Sequence, residues 1–190
     1  MSNGPLEGLV VADFSRVLAG PFATMLLGDM GADVVKVEHP DGGDETRAWG
    51  PPFSGGHSTY YLAVNRNKRS VALDLKTGQG RRAARDLAAR SDVLVENFKV
   101  GGLERAGLDA ETLRAANPRL IYCSITGFGQ DGPEAERAGY DFIIQGMGGM
   151  MSITGTPESG PLKTGSTIVD YTTGYAAALG GPERRGRALE

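Results

Sequence analysis

The chain has 190 residues, 40% of them apolar, which suits one domain with a buried core. Its 20 basic residues stand against 23 acidic ones for a net charge of -3, with no long basic tract to follow a phosphate backbone, so nucleic acid is not expected as a partner. One cysteine, Cys123, rules out an intrachain disulfide and paired-cysteine zinc sites, and it points to a reducing, cytoplasmic setting.

The opening "MSNGPLEGLVVADF" has no positively charged stretch before its short apolar run and does not read as a secretory signal. No segment reaches the roughly 20 apolar residues that span a bilayer, so no membrane partner is expected. "GLVVADFS" (Gly8 to Ser15) is short, apolar and β-branched, as a buried strand is. "AGPFATMLLGDMGA" then changes to helical spacing, with Pro21 fitting a first helical turn. "DVVKVE" (Asp33 to Glu38) predicts a second strand, and strand, helix, strand implies a right-handed parallel crossover.

From His39 to Ser58 the text is dense in Gly and Pro without periodicity, which predicts a long excursion of the functional kind. The pattern resumes with "RSVALDL" as a strand and "GQGRRAARDLAARS" as a helix whose arginines mostly face water. "DVLVEN" follows as a strand, "AETLRAANP" as a helix and "LIYCSIT" as a strand. This alternation predicts an α/β domain, doubly wound, with a mostly parallel Rossmann-like sheet and helices on both faces. Ligands bind such sheets beyond the carboxyl ends of strands, hence just after "ADFS", "KVE", "LDL", "VENF" and "SITG".

"GFGQDG" (Gly127 to Gly132) is a literal G-x-G-x-x-G after a predicted strand. A dinucleotide fingerprint must open an apolar helix, whereas Pro133 and the polar "EAER" follow, so a glycine-rich turn is the better reading. His39 and His57 lack the spaced ligands of a metal site, and no G-x-S-x-G elbow exists for serine hydrolysis. "VENFKVGGLERAGL" sets Asn97, Phe98, Lys99 and Arg105 past a strand end, where an aromatic face, an amide and two cations could hold an adenine ring and its phosphates. "NRNKRSVALDLK" (Asn65 to Lys76) places basic residues on both sides of a strand. In "TIVDYTTGYAAALG" (Thr167 to Gly180), Asp170 fits a helix cap, which would bind backbone N–H groups and lower its pKa. An ionised, oriented carboxylate can equally be a nucleophile, and the spacing leaves both roles open.

Together, "LVVADFSRVLAGPFATMLLGDMGADVVKVEHPDGGDETR", "NRNKRSVALDLK", "VENFKVGGLERAGL" and "TGFGQDGPEAERAGYDFIIQGMGGMMSITG" closely resemble the N-terminal half of family III CoA-transferases. That family includes formyl-CoA transferase, carnitine CoA-transferase and the α-methylacyl-CoA racemases. The resemblance implies that Asp170 is the nucleophile, attacking a donor thioester to give a mixed anhydride and then an aspartyl-CoA thioester. It implies acyl-CoA and a small carboxylic acid as substrates, with no permanently bound cofactor, and neither ATP nor metal, because one thioester replaces another. The racemases carry a histidine where this chain has Tyr140, and a phenol is a poor base at neutral pH, which favours transfer over proton movement. A catalytically silent CoA-binding fragment is the alternative from another class.

The positions that the resemblance assigns to CoA are Leu18, Ala19, His39, Leu73, Asp74, Leu75, Lys76, Asn97, Phe98, Lys99, Arg105, Ala138, Gly139, Tyr140 and Asp141. Where some relatives have an arginine beside the adenine this chain has His39, which keeps stacking and loses a fixed charge. Family members are about twice as long and form homodimers of interlocked chains. Residues 1 to 180 are therefore expected to be the N-terminal part of the large CoA-binding domain, with the second, smaller domain missing through truncation or frameshift. Gly180, Gly181 and Pro182 are expected to stop the last helix, leaving 181 to 190 as an atypical charged tail.

Overall fold

The computed structural model describes the backbone of residues 4–188 and the side chains as far as Gly180, so the first three residues of the expected start and the last two of the charged segment lie outside the described residues. In chain order the elements are β1 (Val10–Asp13), α1 (Ala19–Asp29), β2 (Asp33–Glu38), a 3-10 turn (Glu45–Ala48), and the hairpin β3 (Phe53–Ser54) and β4 (His57–Ser58). There follow α2 (Thr59–Asn65), β5 (Lys68–Ala72), α3 (Gly78–Ala89), β6 (Val93–Glu96), a second 3-10 turn (Glu104–Ala106), α4 (Ala110–Ala116) and β7 (Ile121–Ser124). The last elements are α5 (Asp141–Met147), α6 (Met150–Thr154) and α7 (Ile168–Ala188). Among the described residues no helix is long and apolar enough to cross a membrane.

β5, β2, β1, β6 and β7 form one sheet in that spatial order, and every pairing is parallel. β1 and β6 sit inside, covered on both faces, which is why they read as unbroken apolar runs rather than alternating ones. On one face Val11, Val34, Val93 and Val95 pack with Ala23 and Leu27 of α1 and Ala178 of α7. On the other, Ala12, Phe14, Val37 and Leu94 pack with Ala84 and Ala88 of α3 and Leu113 of α4. The predicted doubly wound α/β sandwich is thus the one observed.

Local chemistry explains the helices. Thr77 caps α3 by accepting the Gly80 N–H at 3.0 Å, and the helix buries the stripe Gly80, Ala84 and Ala88; of its arginines, expected to face water, Arg82 is exposed while Arg81 and Arg85 are half-buried, Arg85 donating to the Ala106 carbonyl at 3.0 Å. α1 is buried on nearly all sides because it packs against both the sheet and α7, and α7 itself reaches the sheet face through Ala178. Gly174 makes the contact of α7 with α1 possible: a Cβ there would meet Ala19 O and the Phe22 ring at 2.8 Å. Phe22 then sets its ring edge-on to Tyr171 and Tyr175, with centroids 5.0 Å apart in each pair.

Two expectations need correction. The excursion from His39 to Ser58 holds a 3-10 turn and a hairpin, and α2, unforeseen, follows it with Ser58 as its cap. The last helix does not stop at Gly180-Gly181-Pro182 but runs to Ala188. Helix growth is cooperative, and a body begun at Ile168 carries past one proline when good helix formers such as Glu183 and Arg184 follow.

Candidate active site

The chain leaves β1 through α1 on one face of the sheet and leaves β6 through α4 on the other, so the loops after these neighbouring strands diverge. A crevice at that switch point is the expected consequence. Its two walls are tied by Asn97, whose Oδ1 accepts the Arg16 N–H at 2.8 Å and whose Nδ2 donates to the Arg16 carbonyl at 2.7 Å. Between them lies a cavity of about 210 Å³ lined by Arg16 to Ala19, Asn97 to Val100, Ile125 to Gly127, Ala135 to Tyr140, Glu45 and Asp170.

Asp170 reaches this cavity from the first turn of α7. Among the described residues its carboxylate accepts no hydrogen bond. Burial, and then the negative charge of Asp141, push its pKa up from 3.8 to about 6. This corrects the sequence reading on two points. Asp170 is not the cap of α7, and its pKa is raised instead of lowered. Asp141 takes the N–H groups that a local cap would have used, accepting Val169 N–H at 2.7 Å and Asp170 N–H at 3.4 Å on Oδ1. Tyr60 faces the site from α2: burial and then the Asp170 charge raise its phenol to about 12, and Trp49 stacks edge-on against it at 5.1 Å.

A larger cleft of about 820 Å³ opens beyond the ends of β2, β5 and β6 and shares Arg16 and Phe98 with the smaller cavity. Its lining includes His39, Leu73, Asp74, Leu75, Lys76, Arg81, Phe98 and Arg105. The Arg16 guanidinium lies 5.4 Å from the Phe98 ring centroid and 3.6 Å from Glu45. Of the acids in the cleft, Glu38 is held by Arg47 through paired contacts of 2.8 and 2.7 Å, and Asp44 lies 3.0 Å from Lys36. Lys76, Arg81 and Arg105 line the cleft beside the Phe98 ring, together with Asp41 and Asp74. That combination suits a phosphorylated ligand with a planar base at one end.

A family model described as CoA-transferase family III matches residues 6–181. The chain belongs to that family. Among its relatives, the succinate–glutarate CoA-transferase of Agrobacterium fabrum is 57% identical over 90% of this chain and 44% of its own length. The human succinyl-CoA:glutarate CoA-transferase is 51% identical over 93% of this chain and 41% of its own. The crystal structure of a CAIB/BAIF family protein from Brucella suis superposes with a TM-score of 0.94 at 51% identity, covering all of this chain and 52% of that one. The chain therefore spans less than half the length of these curated relatives.

In this family III chain the candidate residues fall into three groups. Leu18, Ala19, Asn97, Lys99, Ala138, Gly139, Tyr140 and Asp170 line the small cavity, although the Asn97 amide is engaged with Arg16. His39, Leu73 to Lys76 and Arg105 line the large cleft, and Phe98 lines both. Asp141 lines neither; it is 7% exposed and lies beneath the first turn of α7. The glycines of "GFGQDG" serve backbone geometry: Gly129 and Gly132 have φ of +86° and +93°, and a Cβ on Gly127 would lie 2.2 Å from Gly139 Cα. Sequence reasoning passed over Arg16, Glu45, Trp49 and Tyr60, and assigned Arg81 to a solvated helix face, whereas it lines the large cleft. Arg16 was findable, since it directly follows "ADFS" at the switch point, whereas Glu45 and Trp49 sit in the excursion that offered no periodicity.

Proposed function

We propose that this chain carries the donor-activating site of a CoA transfer between an acyl-CoA and a small carboxylic acid, with Asp170 as nucleophile. The observation that carries this reading is a carboxylate at the switch-point cavity with its pKa raised to about 6 and without hydrogen-bond donors. Ionised at neutral pH and poorly solvated, such a group is more nucleophilic than one tied into a cap.

The Asp170 carboxylate attacks the donor thioester carbonyl; a C–O bond forms, the C–S bond breaks, and CoA leaves as thiolate. The thiolate attacks the aspartyl carbonyl of the mixed anhydride and the donor acid departs as carboxylate, leaving an aspartyl-CoA thioester. The acceptor carboxylate displaces CoA to form a second anhydride. Thiolate attack on the acceptor's carbonyl then releases acceptor-CoA and restores Asp170. No net proton or electron is exchanged, and the site's task is to position and desolvate the reacting groups. The relatives named for succinate and glutarate make these dicarboxylic acids the first substrates to test.

Incubation with succinyl-CoA followed by peptide mass spectrometry is expected to find an acyl or CoA adduct on Asp170 that hydroxylamine removes. Turnover retained in Asp170→Ala would remove the nucleophile from this reading.

A further inference from the structure

The first turn of α7 fixes where the Asp170 side chain leaves the backbone, and a residue far away in sequence fixes that turn. Asp141 opens α5, and its Oδ1 receives the Val169 and Asp170 N–H groups from separations of 28 and 29 residues. These are among the donors that a helix N-terminus leaves without intrahelical partners. Asp141 Oδ2 accepts Gln145 Nε2 at 2.6 Å, and the buried Gln145 in turn accepts the Thr164 N–H on Oε1 at 2.9 Å. One carboxylate therefore joins α5, the segment before α7 and α7 itself.

We propose that Asp141 is a positioning residue for Asp170: capping α7 from outside, it sets the direction of the Asp170 side chain, and it holds a second negative charge beside that carboxylate. The purpose rests on the CoA-transfer reading; the geometry does not. Alone at the start of α7, Asp170 would be stabilised as an anion by the helix dipole and by free N–H groups. With Asp141 occupying those groups, Asp170 meets a like charge without their donors. The other groups around it are Arg16 from the loop after β1, Glu45 from the 3-10 turn, Tyr60 from α2 and Lys99 from the loop after β6. Glu136, Arg137 and Tyr140 approach from the segment before α5, and Tyr171 lies on α7 itself. Against all of these, burial and Asp141 decide the direction, which is upward.

The test is a carbon-13 NMR titration of the aspartate carboxyls in the 190-residue chain, with the Asp170 signal assigned by its loss in Asp170→Asn. Asp141→Asn keeps an acceptor oxygen and removes the charge, so the Asp170 midpoint is expected to fall by on the order of one unit, while Asp141→Glu restores it. Amide exchange at Val169 is expected to quicken in Asp141→Ala more than in Asp141→Asn. An Asp170 midpoint unmoved by Asp141→Asn overturns the proposal and leaves Asp141 a structural cap.

If the Asp141 variants do not fold, the parent chain decides. An Asp141 signal with a second inflection at the Asp170 midpoint supports the proposal. Absence of that inflection, or an Asp170 midpoint at or below about 4, contradicts it. No substrate enters this titration, so the two readings fail separately: an adduct with an unmoved midpoint sinks the positioning role alone, and a moved midpoint without an adduct sinks the reaction alone.

Discussion

Asp13 and Asp170 are two acids near α1 that meet opposite surroundings. Asp13 is fully buried at the end of β1, yet it receives Lys68 Nζ at 3.0 Å, the Thr24 hydroxyl at 2.7 Å, and both the N–H and hydroxyl of Ser15. Burial by itself would raise its pKa, but Lys68, Lys36 and the two hydroxyls outweigh burial and hold it well below the ordinary carboxylate range. Asp170 is only partly buried, without donors and beside Asp141, and its pKa rises to about 6. The inventory of partners, more than depth, decides whether a buried acid is structural or reactive.

The largest effect expected from this contrast is on the partnered acid. Asp13→Ala leaves Lys68 buried without its counter-charge, and urea unfolding is expected to show a loss of about 3–5 kcal/mol. A loss near zero would mean that the buried network contributes nothing net.

The unpartnered acid should behave in the opposite sense. Because its folded pKa of about 6 exceeds the ordinary 3.8, ionised Asp170 costs stability; that cost is absent below pH 3.8, grows as pH rises and is complete above pH 6. Asp170→Asn is therefore expected to be more stable than the parent above pH 6, by on the order of 1 kcal/mol given solvent screening at a partly exposed carboxyl, and equal to it below about pH 4. Thermal melts across pH check this. A variant less stable than the parent at neutral pH would show that Asp170 has a partner after all.

The same contrast explains what was legible in the sequence. β1, α1 and β2 were readable because "GLVVADFS", "AGPFATMLLGDMGA" and "DVVKVE" each follow one clean pattern, and the parallel order follows from their alternation. α2 was not, because seven residues after a Gly- and Pro-rich stretch give too little periodicity. For Asp170 the sequence left cap and nucleophile both open, and the cap role is the one the structure removes. A local cap is written in neighbouring residues, whereas the true cap, Asp141, arrives through tertiary contact from 28 residues away. Raised pKa values share this property: they depend on what the fold brings near, and single positions do not record it.

The most direct test of the central claim is the pH dependence of adduct formation on Asp170 in single-turnover experiments with succinyl-CoA. A carboxylate must be ionised to attack, so the rate is expected to rise with pH and reach half its maximum near pH 6. A rate that is already maximal at pH 5, or half-maximal near the ordinary 3.8, would contradict the account.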